Sequence, residues 1–390
     1  MSTSTETPAY SAGEFAHFAQ DPASITAQGI RLSASDAERF TNWRWQITHQ
    51  ITTASTARTY FPLNQEEERG FTSLEGLFKT GVTPYYLTLA AQEQGGGAIR
   101  LQALPRQEEE DDLLGLMDPL QEKSHSPVKE VVHVYPDRVA FCVAMLCPVY
   151  CRYCYRKRRD EEEGLHYNRK IVEDGLAYIA SNPAIKDVLI TGGDPFIASD
   201  QSIETLLRRL RQIPHVEIIR FGTRTPVTLP YRVTKELAAI LAAHHPVWVN
   251  THFNTAEEIT PEASQAINNL LSHGIPLGNQ SVLLKGINDS SAKMMALCRK
   301  LIINRVRPYY VFHPHLVAGT AHLRVSLREG QGIMKSLRGN ISGFAIPRYI
   351  VDTPSGKVPL DYNYVLAADG DDLIIEDIHG EIWRERDVQP

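Results

Sequence analysis

Between residues 137 and 312 the sequence alternates short apolar runs with amphipathic stretches, and this alternation constrains the fold more than any other feature. A strand, a helix and a further strand at this interval favour parallel pairing with right-handed crossovers. The predicted strands are Val139–Met145, Asp187–Thr191, Val216–Phe221, Val247–His252, Leu277–Leu284 and Val306–Phe312. The predicted helices between them are Ile171–Ala180, Ile203–Arg211, Lys235–Ala243, Glu262–Ser272 and Ser291–Ile303.

Six such units predict the α/β fold class with an open or partial (β/α)6 barrel rather than a closed eightfold one. Ligands of these folds collect at the C-terminal ends of the strands. We divide the chain into a flexible N-terminal tail at 1–34, a helical N-terminal region at 35–136, the barrel at 137–339, and a C-terminal segment with a tail at 340–390.

The region before the barrel is predicted to be helical. Ser35 and Glu38 form a capping-box pattern, and the following apolar residues recur at three- and four-residue steps, which predicts one amphipathic helix. Those residues are Phe40, Trp43, Ile47 and Ile51. A second helix is predicted at Leu74–Lys79, and the acidic run Glu108–Asp112 is predicted to be a solvated helix face or loop.

The composition excludes several classes of protein. A hydrophobic share of 43% and a charged share of 22% are typical of globular proteins. The net charge of −6 supplies no overall attraction for nucleic acid or an anionic membrane. No run approaches about 20 consecutive apolar residues, and the first residues lack the pattern of a secretory signal. We therefore expect a cytoplasmic protein with neither nucleic acid nor a membrane as a partner.

Three of the five cysteines have the spacing CxxxCxxC directly after the first predicted strand. Cys147, Cys151 and Cys154 would supply three thiolates to a [4Fe–4S] cluster and leave one iron open, since soft sulfur ligands suit iron–sulfur chemistry. A zinc site is an alternative, but it needs a fourth ligand, such as Cys142, a histidine or a distant carboxylate. Unrelated core cysteines are the other alternative, and Cys142 within the strand suits that role.

The segment CPVYCRYC, with Tyr153 before its last cysteine, resembles the radical S-adenosylmethionine (SAM) enzymes. This resemblance implies a partial α/β barrel in which SAM chelates the open iron. The second predicted strand ends in residues that match the glycine-rich segment of that family, which receives the amino group of SAM. These residues are Gly192, Gly193 and Asp194.

From about residue 35 to 368 the chain resembles the lysine 2,3-aminomutase group. The matching segments are Trp43-Arg44-Trp45-Gln46, Thr83-Pro84-Tyr85-Tyr86, Tyr135-Pro136-Asp137-Arg138, Gly222-Thr223-Arg224-Thr225-Pro226 and Pro308-Tyr309-Tyr310. The resemblance implies an isomerase that converts an α-amino acid into a β-amino acid by 1,2-amino migration, with pyridoxal 5′-phosphate (PLP) as a further cofactor.

The same resemblance implies roles for single residues. Lys357, in Pro354-Ser355-Gly356-Lys357, matches the lysine that forms a Schiff base with PLP, and partial burial would lower its pKa. Without the resemblance it would be a solvated turn residue. Tyr135 and Arg138 match residues that contact the PLP phosphate. Arg156 matches the arginine that binds the substrate carboxylate, which a bidentate guanidinium suits.

Two positions concern the substrate. Lysine-specific members place two aspartates around the distal ammonium, and here the matching residues are His315 and Asp352. We expect lysine or another cationic amino acid, with arginine, ornithine or glutamate as alternatives.

Two other interpretations of the function remain, and partners can also be predicted. A radical SAM enzyme that acts on a protein-bound lysine without PLP, and a non-catalytic metal-binding or redox module, stay open. We further expect a flavodoxin- or ferredoxin-type electron donor, a homo-oligomer, and no structural zinc.

Overall fold

The computed structural model describes residues 24–27, 30–74, 77–91, 96–110, 112, 114–157 and 169–387. Most of the predicted N-terminal tail lies outside these residues. No helix among the described residues is long and apolar enough to cross a membrane.

Within the described residues, a β-hairpin and six α-helices precede the barrel. They are β1 (Ser24–Ala27), β2 (Ile30–Ser33), α1 (Ala34–Arg39), α2 (Trp43–Thr48), α3 (Ala54–Tyr60), α4 (Gln65–Ser73), α5 (Pro84–Ala91) and α6 (Gly96–Ala103).

The single amphipathic helix predicted after residue 35 is wrong, because two caps divide it. Ser33, not Ser35, caps α1 by accepting a hydrogen bond from the Asp36 amide at 3.1 Å. Asn42 then caps α2 by accepting from the Arg44 amide at 3.0 Å. A capping side chain satisfies amides that have no partner within the helix, so each cap begins a new helix. Of the predicted apolar stripe, only Trp43 and Ile47 lie in a helix, α2, whereas Phe40 caps the C-terminus of α1 and Ile51 pairs with Val82.

The second predicted helix, at Leu74–Lys79, is also wrong. The helix begins earlier, at a capping box in which Asn64 and Glu67 exchange hydrogen bonds at 2.9 Å. It ends at Ser73, where the Leu74 amide bonds to the Gly70 carbonyl at 3.1 Å. The described residues 77–80 are not helical.

A nine-stranded sheet forms the centre of the molecule, with strand order β11-β10-β9-β8-β7-β6-β5-β4-β3. Strands β4 to β10 are parallel, and β3 and β11 are antiparallel edge strands. The bounds are β3 (Val131–Tyr135), β4 (Arg138–Ala144), β5 (Asp187–Gly192), β6 (Ile218–Gly222), β7 (Val247–Thr251), β8 (Leu277–Val282), β9 (Arg307–Phe312), β10 (Arg348–Thr353) and β11 (Gly356–Pro359).

Helices follow the parallel strands as predicted. They are α7 (Arg169–Ala180), α8 (Asp200–Arg211), α9 (Thr225–Thr228), α10 (Lys235–Ala242), α11 (Pro261–Ser272), α12 (Ser291–Ile303) and α13 (Leu327–Leu337). The six predicted strands are β4 to β9, and the five predicted helices are α7, α8, α10, α11 and α12. The α/β barrel is thus confirmed, with β10 as an additional parallel strand.

The helices cover the outer face of the sheet, so alternate strand residues face the barrel interior. In β4 the Phe141 ring packs at Gly175 of α7, which leaves its neighbour Cys142 on the inner face. The same alternation places Asp352 of β10 inside, because Tyr349 packs outward against Gly330 of α13.

The two edges of the sheet meet and nearly close the barrel. The backbone N–H of Lys357 on β11 donates a hydrogen bond to the Tyr135 hydroxyl on β3 at 2.7 Å. The neighbouring Gly356 has φ = +125°, and a Cβ there would lie 2.8 Å from the Tyr135 hydroxyl oxygen. Only glycine combines this backbone angle with so close an approach.

A small antiparallel sheet ends the described chain. It contains β12 (Val365–Asp369), β13 (Asp372–Glu376) and β14 (Ile382–Arg386). Lys335 of α13 bonds to Glu376 of β13 at 2.7 Å and joins this sheet to the barrel.

Replacing Gly356→Ala is expected to destabilise the fold by about 1–3 kcal/mol, because alanine is strained at this backbone angle. Gly332→Ala is the matched control: a Cβ on this α13 residue meets nothing within 4 Å, and alanine favours helix by up to about 1 kcal/mol. Urea unfolding measures both changes. Equal midpoints for the two variants would contradict the strain at the seam.

Candidate active site

The three clustered cysteines lie in the loop that follows β4, at the C-terminal edge of the sheet. Cys147, Cys151 and Cys154 line one cavity together with Gly192 and Gly193 from the end of β5. The structure thus brings together the two motifs that the sequence separates by about one βα unit.

The N-terminal helices and their connections hold the backbone of this cysteine loop. The Gln50 side-chain amide donates to the carbonyls of Cys147 and Pro148, both at 2.7 Å. The Arg152 amide donates to the Gln102 carbonyl of α6 at 2.9 Å. The loop geometry is therefore set by protein contacts on both sides of Cys151.

A buried ionic cluster fixes the second half of the loop. Glu109 accepts hydrogen bonds from Arg152 at 2.8 and 2.5 Å and from the Lys157 ammonium at 3.0 Å. Burial alone raises the pKa of Glu109, but the two cations hold it below its usual value. Burial also lowers the pKa of Lys157 to about 8. The prediction that Glu108–Asp112 is merely solvated is wrong, because the carboxylate of Glu109 is buried and forms ion pairs with two buried cations.

The Gly-Gly-Asp turn packs directly on the backbone before the cysteines. A Cβ on Gly192 would lie 2.3 Å from the Ala144 carbonyl oxygen, and one on Gly193 would lie 2.4 Å from that of Leu146. The amide of Asp194 donates to the Leu146 carbonyl at 2.7 Å. Glycine is required here because side chains would separate the two loops.

The Asp194 carboxylate is directed into the protein. It accepts hydrogen bonds from the Thr223 hydroxyl at 2.6 Å and from the amides of Arg224 at 2.8 Å and Phe196 at 3.1 Å. Burial raises the pKa of Asp194. Its carboxylate ties the end of β5 to the loop after β6, so within the described residues it orients the glycines.

Arg224, in the loop after β6, contacts the cysteine loop directly. Its Nη1 lies 2.7 Å from the Cys151 sulfur, and Nη2 donates to Gln102 and Glu258, both at 2.6 Å. Although burial lowers the pKa of Arg224, its neighbours, Cys151 foremost, raise it well above the ordinary value. The sequence analysis included Arg224 only within a matching segment and assigned it no role.

Two buried polar atoms beside the cysteines have no hydrogen-bond partner among the described residues. They are the Tyr153 hydroxyl and His252 Nε2. The two rings stack with centroids 5.6 Å apart and an interplanar angle of 13°. Burial lowers the pKa of His252 to about 3, so its ring is uncharged at neutral pH. Buried polar atoms without protein partners are available to a ligand or to ordered water.

The cysteine sulfurs suit an iron–sulfur cube better than a single ion. Across the part of the chain that the structure describes, no group of three His, Cys, Asp or Glu side chains is arranged to hold one metal ion. A cube binds its thiolates at different corners, so its ligands stand farther apart than those of tetrahedral zinc. The soft donor set and the adjoining unpartnered atoms fit a cluster with SAM beside it.

A second group of predicted residues gathers at the seam of the barrel. Asp352 and Lys357 are opposite each other in the β10–β11 pair, and the Lys357 ammonium lies 3.2 Å from the Asp352 carboxylate. Tyr135 accepts the Lys357 amide, and the Arg138 guanidinium stacks 3.7 Å from the Tyr135 ring centroid. Arg138 also pairs with Asp137 at 2.7 Å.

Arg156 and His315 lie near that seam. Arg156 forms hydrogen bonds with Glu122 at 3.0 and 2.6 Å, and its guanidinium stacks on the Tyr155 ring. The His315 ring lies 4.9 Å from the same ring, and its buried Nε2 has no partner among the described residues. Burial lowers the pKa of His315, although Asp352 raises it. The sequence analysis did not single out Glu122.

The sequence matches the Radical SAM superfamily over residues 143–298 and Lysine-2,3-aminomutase over residues 334–387. The barrel, the cysteine loop and the first of these matches define a radical SAM enzyme. Its class uses a [4Fe–4S] cluster and SAM as cofactors.

Relatives specify the family. The chain is 41% identical to L-lysine 2,3-aminomutase of Clostridium subterminale over 89% of this chain and 84% of that protein. It is 41% identical to the Bacillus subtilis L-lysine 2,3-aminomutase (88% and 74%) and 38% identical to the glutamate 2,3-aminomutase of Clostridioides difficile (90% and 83%). The chain belongs to the lysine 2,3-aminomutase family and is a radical SAM 2,3-aminomutase, an isomerase.

Replacing Glu109→Gln is expected to destabilise the cofactor-free protein by about 3–5 kcal/mol, because Arg152 and Lys157 lose their buried counter-charge. Glu68→Gln serves as control, since its ion pair with Arg58 is solvent-exposed and contributes at most about 1 kcal/mol. Urea unfolding measures both variants, and equal losses would contradict the role of burial.

Proposed function

We propose that the enzyme is a PLP-dependent 2,3-aminomutase whose substrate is lysine or another cationic α-amino acid. The observation that carries this proposal is the position of Lys357. Its ammonium faces the barrel interior opposite Asp352, while its backbone bonds to Tyr135. A primary amine in such a position can attack an aldehyde once it is deprotonated.

In this proposal Cys147, Cys151 and Cys154 hold the cluster, and the surface formed by Tyr153, Gly192 and Gly193 receives SAM. The unpartnered hydroxyl of Tyr153 and the close packing of the glycines support this assignment. Asp194 contributes by orienting the glycine turn. A cluster held by these cysteines would supply the electron for cleavage of SAM, and a flavodoxin- or ferredoxin-type protein would deliver that electron.

Lys357 would hold PLP, and Tyr135 and Arg138 would meet its phosphate. The backbone N–H of Lys357 and the guanidinium of Arg138 both contact Tyr135, so one tyrosine lies between the Lys357 backbone and the proposed phosphate-binding cation. PLP supplies an extended π-system that stabilises a radical during amino migration. The guanidinium of Arg138 is a charge-assisted donor suited to a phosphate.

The substrate carboxylate is assigned to Arg156. Glu122 engages Nε and Nη2 of this guanidinium and holds its plane in place beside the Tyr155 ring. Fixing the plane reduces the conformational entropy that carboxylate binding would otherwise cost. Glu122 is therefore proposed as the residue that orients Arg156.

The distal cationic group of the substrate is assigned to Asp352 and His315. His315 stays uncharged because burial lowers its pKa, and its Nε2 has no other partner among the described residues. Asp352 supplies the single negative charge, which it shares with Lys357. We further propose a homo-oligomer for the assembly.

The decisive experiment is anaerobic reconstitution with iron, sulfide, SAM and PLP, followed by mass spectrometry for β-amino products from each common amino acid. Lys357→Ala is expected to abolish the PLP absorbance band near about 420 nm, borohydride trapping and product formation, because no amine remains to bond to PLP. Lys335→Ala, whose amine pairs with Glu376, is the matched control and should retain all three. Borohydride-fixed PLP on Lys357→Ala, or β-amino product without PLP, would overturn the assignment.

Replacing Asp352→Asn is expected to weaken the binding of a cationic substrate by about 2–5 kcal/mol, because a buried cation loses its counter-charge. KM for such a substrate should rise accordingly. Turnover of neutral amino acids should change little. KM values for lysine, arginine, ornithine, glutamate and alanine in wild type and variant check this expectation. An unchanged KM for the cationic substrates, with loss of the PLP band, would assign Asp352 to Lys357 alone.

A further inference from the structure

Arg224 connects the proposed cluster ligand Cys151 to a network of buried polar side chains. Its Nη1 points at the Cys151 sulfur at 2.7 Å, while Nε donates to the His252 carbonyl at 3.2 Å. The guanidinium is nearly buried, and its centre lies 5.5 Å from the Tyr153 ring centroid. An arginine so placed affects the charge around one specific sulfur.

The opposite side of the guanidinium is held rigidly. Nη2 bonds to Gln102, to Glu258 and, at 3.0 Å, to the Tyr86 hydroxyl. Glu258 is itself fixed, since it accepts from the Tyr86 hydroxyl and from the amide of Asn254, both at 2.6 Å. The direction of Nη1 is thus determined by residues outside the cysteine loop.

We infer that Arg224 is a positioning residue that sets the reduction potential of the cluster through an N–H···S hydrogen bond to Cys151. Hydrogen bonds to cluster sulfurs and local net charge are known determinants of such potentials. Reduction adds one electron and changes the cluster from the 2+ to the 1+ state, without bond cleavage or proton transfer. A low-potential iron–sulfur or flavin protein, or dithionite in vitro, supplies that electron.

The direction of the effect follows from charge. The reduced cluster carries one more negative charge, and a cationic donor at the Cys151 sulfur stabilises it more than the oxidised form. Arg224 therefore raises the potential and makes the cluster easier to reduce. Without it, the Glu258 carboxylate would be left unneutralised nearby and would lower the potential further.

A lysine at this position cannot replace the arginine fully. The planar fork reaches the Cys151 sulfur with one nitrogen and the Glu258 carboxylate with the other. An ammonium is a single point charge and cannot serve both directions in the same way. Arg224→Lys thus preserves charge but loses the directed hydrogen bond, whereas Arg224→Gln loses both.

The test is an EPR-monitored redox titration of the reconstituted cluster without SAM. At the wild-type midpoint, the ratio of reduced to oxidised cluster is expected to fall at least tenfold in Arg224→Gln, a shift of 59 mV for one electron. A smaller fall in the same direction is expected for Arg224→Lys. Activity is not needed for this measurement, and the iron and sulfide content of wild type reports separately whether the cluster is present.

Arg220→Gln is the matched control, because Arg220 pairs with Asp187 within the barrel at 2.8 Å and should leave the midpoint unchanged. The double variant Arg224→Gln/Glu258→Gln removes the stranded carboxylate and should recover part of the shift. If the Arg224→Gln variant does not retain its iron, the midpoint reduction potential of the Arg224→Lys variant tests the inference instead. A midpoint equal to wild type in any iron-replete Arg224 variant would overturn the inference.

Discussion

The Glu109 carboxylate forms buried ion pairs with both Arg152 and Lys157, and this interaction holds the part of the cysteine loop around Cys154. Two cations of the cysteine loop are buried, and a buried cation without a partner would draw the loop toward solvent. Buried ion pairs of this kind do not necessarily increase stability over an apolar core, but they restrict the chain to one arrangement. Here that arrangement presents Cys151 to Arg224 and Cys154 to the glycine turn.

The N-terminal helices are consequently part of the active site. Tyr86 and Gln102 hold Arg224, and Gln50 holds the backbone at Cys147. At the barrel seam, Lys357 bonds across the sheet to Tyr135. One set of contacts thus organises the cysteine loop, and another organises the seam at which we propose that PLP binds.

The barrel could be predicted from the sequence because its evidence is local. A strand is recognised by alternating apolar residues, and a helix by apolar residues at three- and four-residue steps, as in α8 and α11. Both patterns can be recognised within a short stretch of sequence. The division between α1 and α2 was missed because Asn42 caps a helix within an apolar stripe that continues across it. β10 was missed because no crossover helix follows it before the chain turns into β11.

The residues of the candidate site likewise fall into those that could be recognised from the sequence and those that could not. The cysteine and glycine motifs are contiguous and could be recognised, whereas Arg224, Glu122 and Glu109 act through remote partners, which are 34 residues away for Glu122 and Arg156 and 138 residues away for Arg224 and Tyr86. An ion pair between residues that are far apart in sequence produces no periodic pattern in the sequence. Glu109 also lies in an acidic run, and such runs are usually solvated.

The residue proposed to carry PLP also makes the hydrogen bond across the barrel seam. The backbone amide and the side-chain amine belong to the same residue, so opening the gap between β3 and β11 would also move the backbone that carries the proposed PLP-binding amine. Separation of β3 from β11 and misalignment of this amine would occur together. In the proposed enzyme, the alignment of this amine would therefore depend on the stability of the contact between β3 and β11.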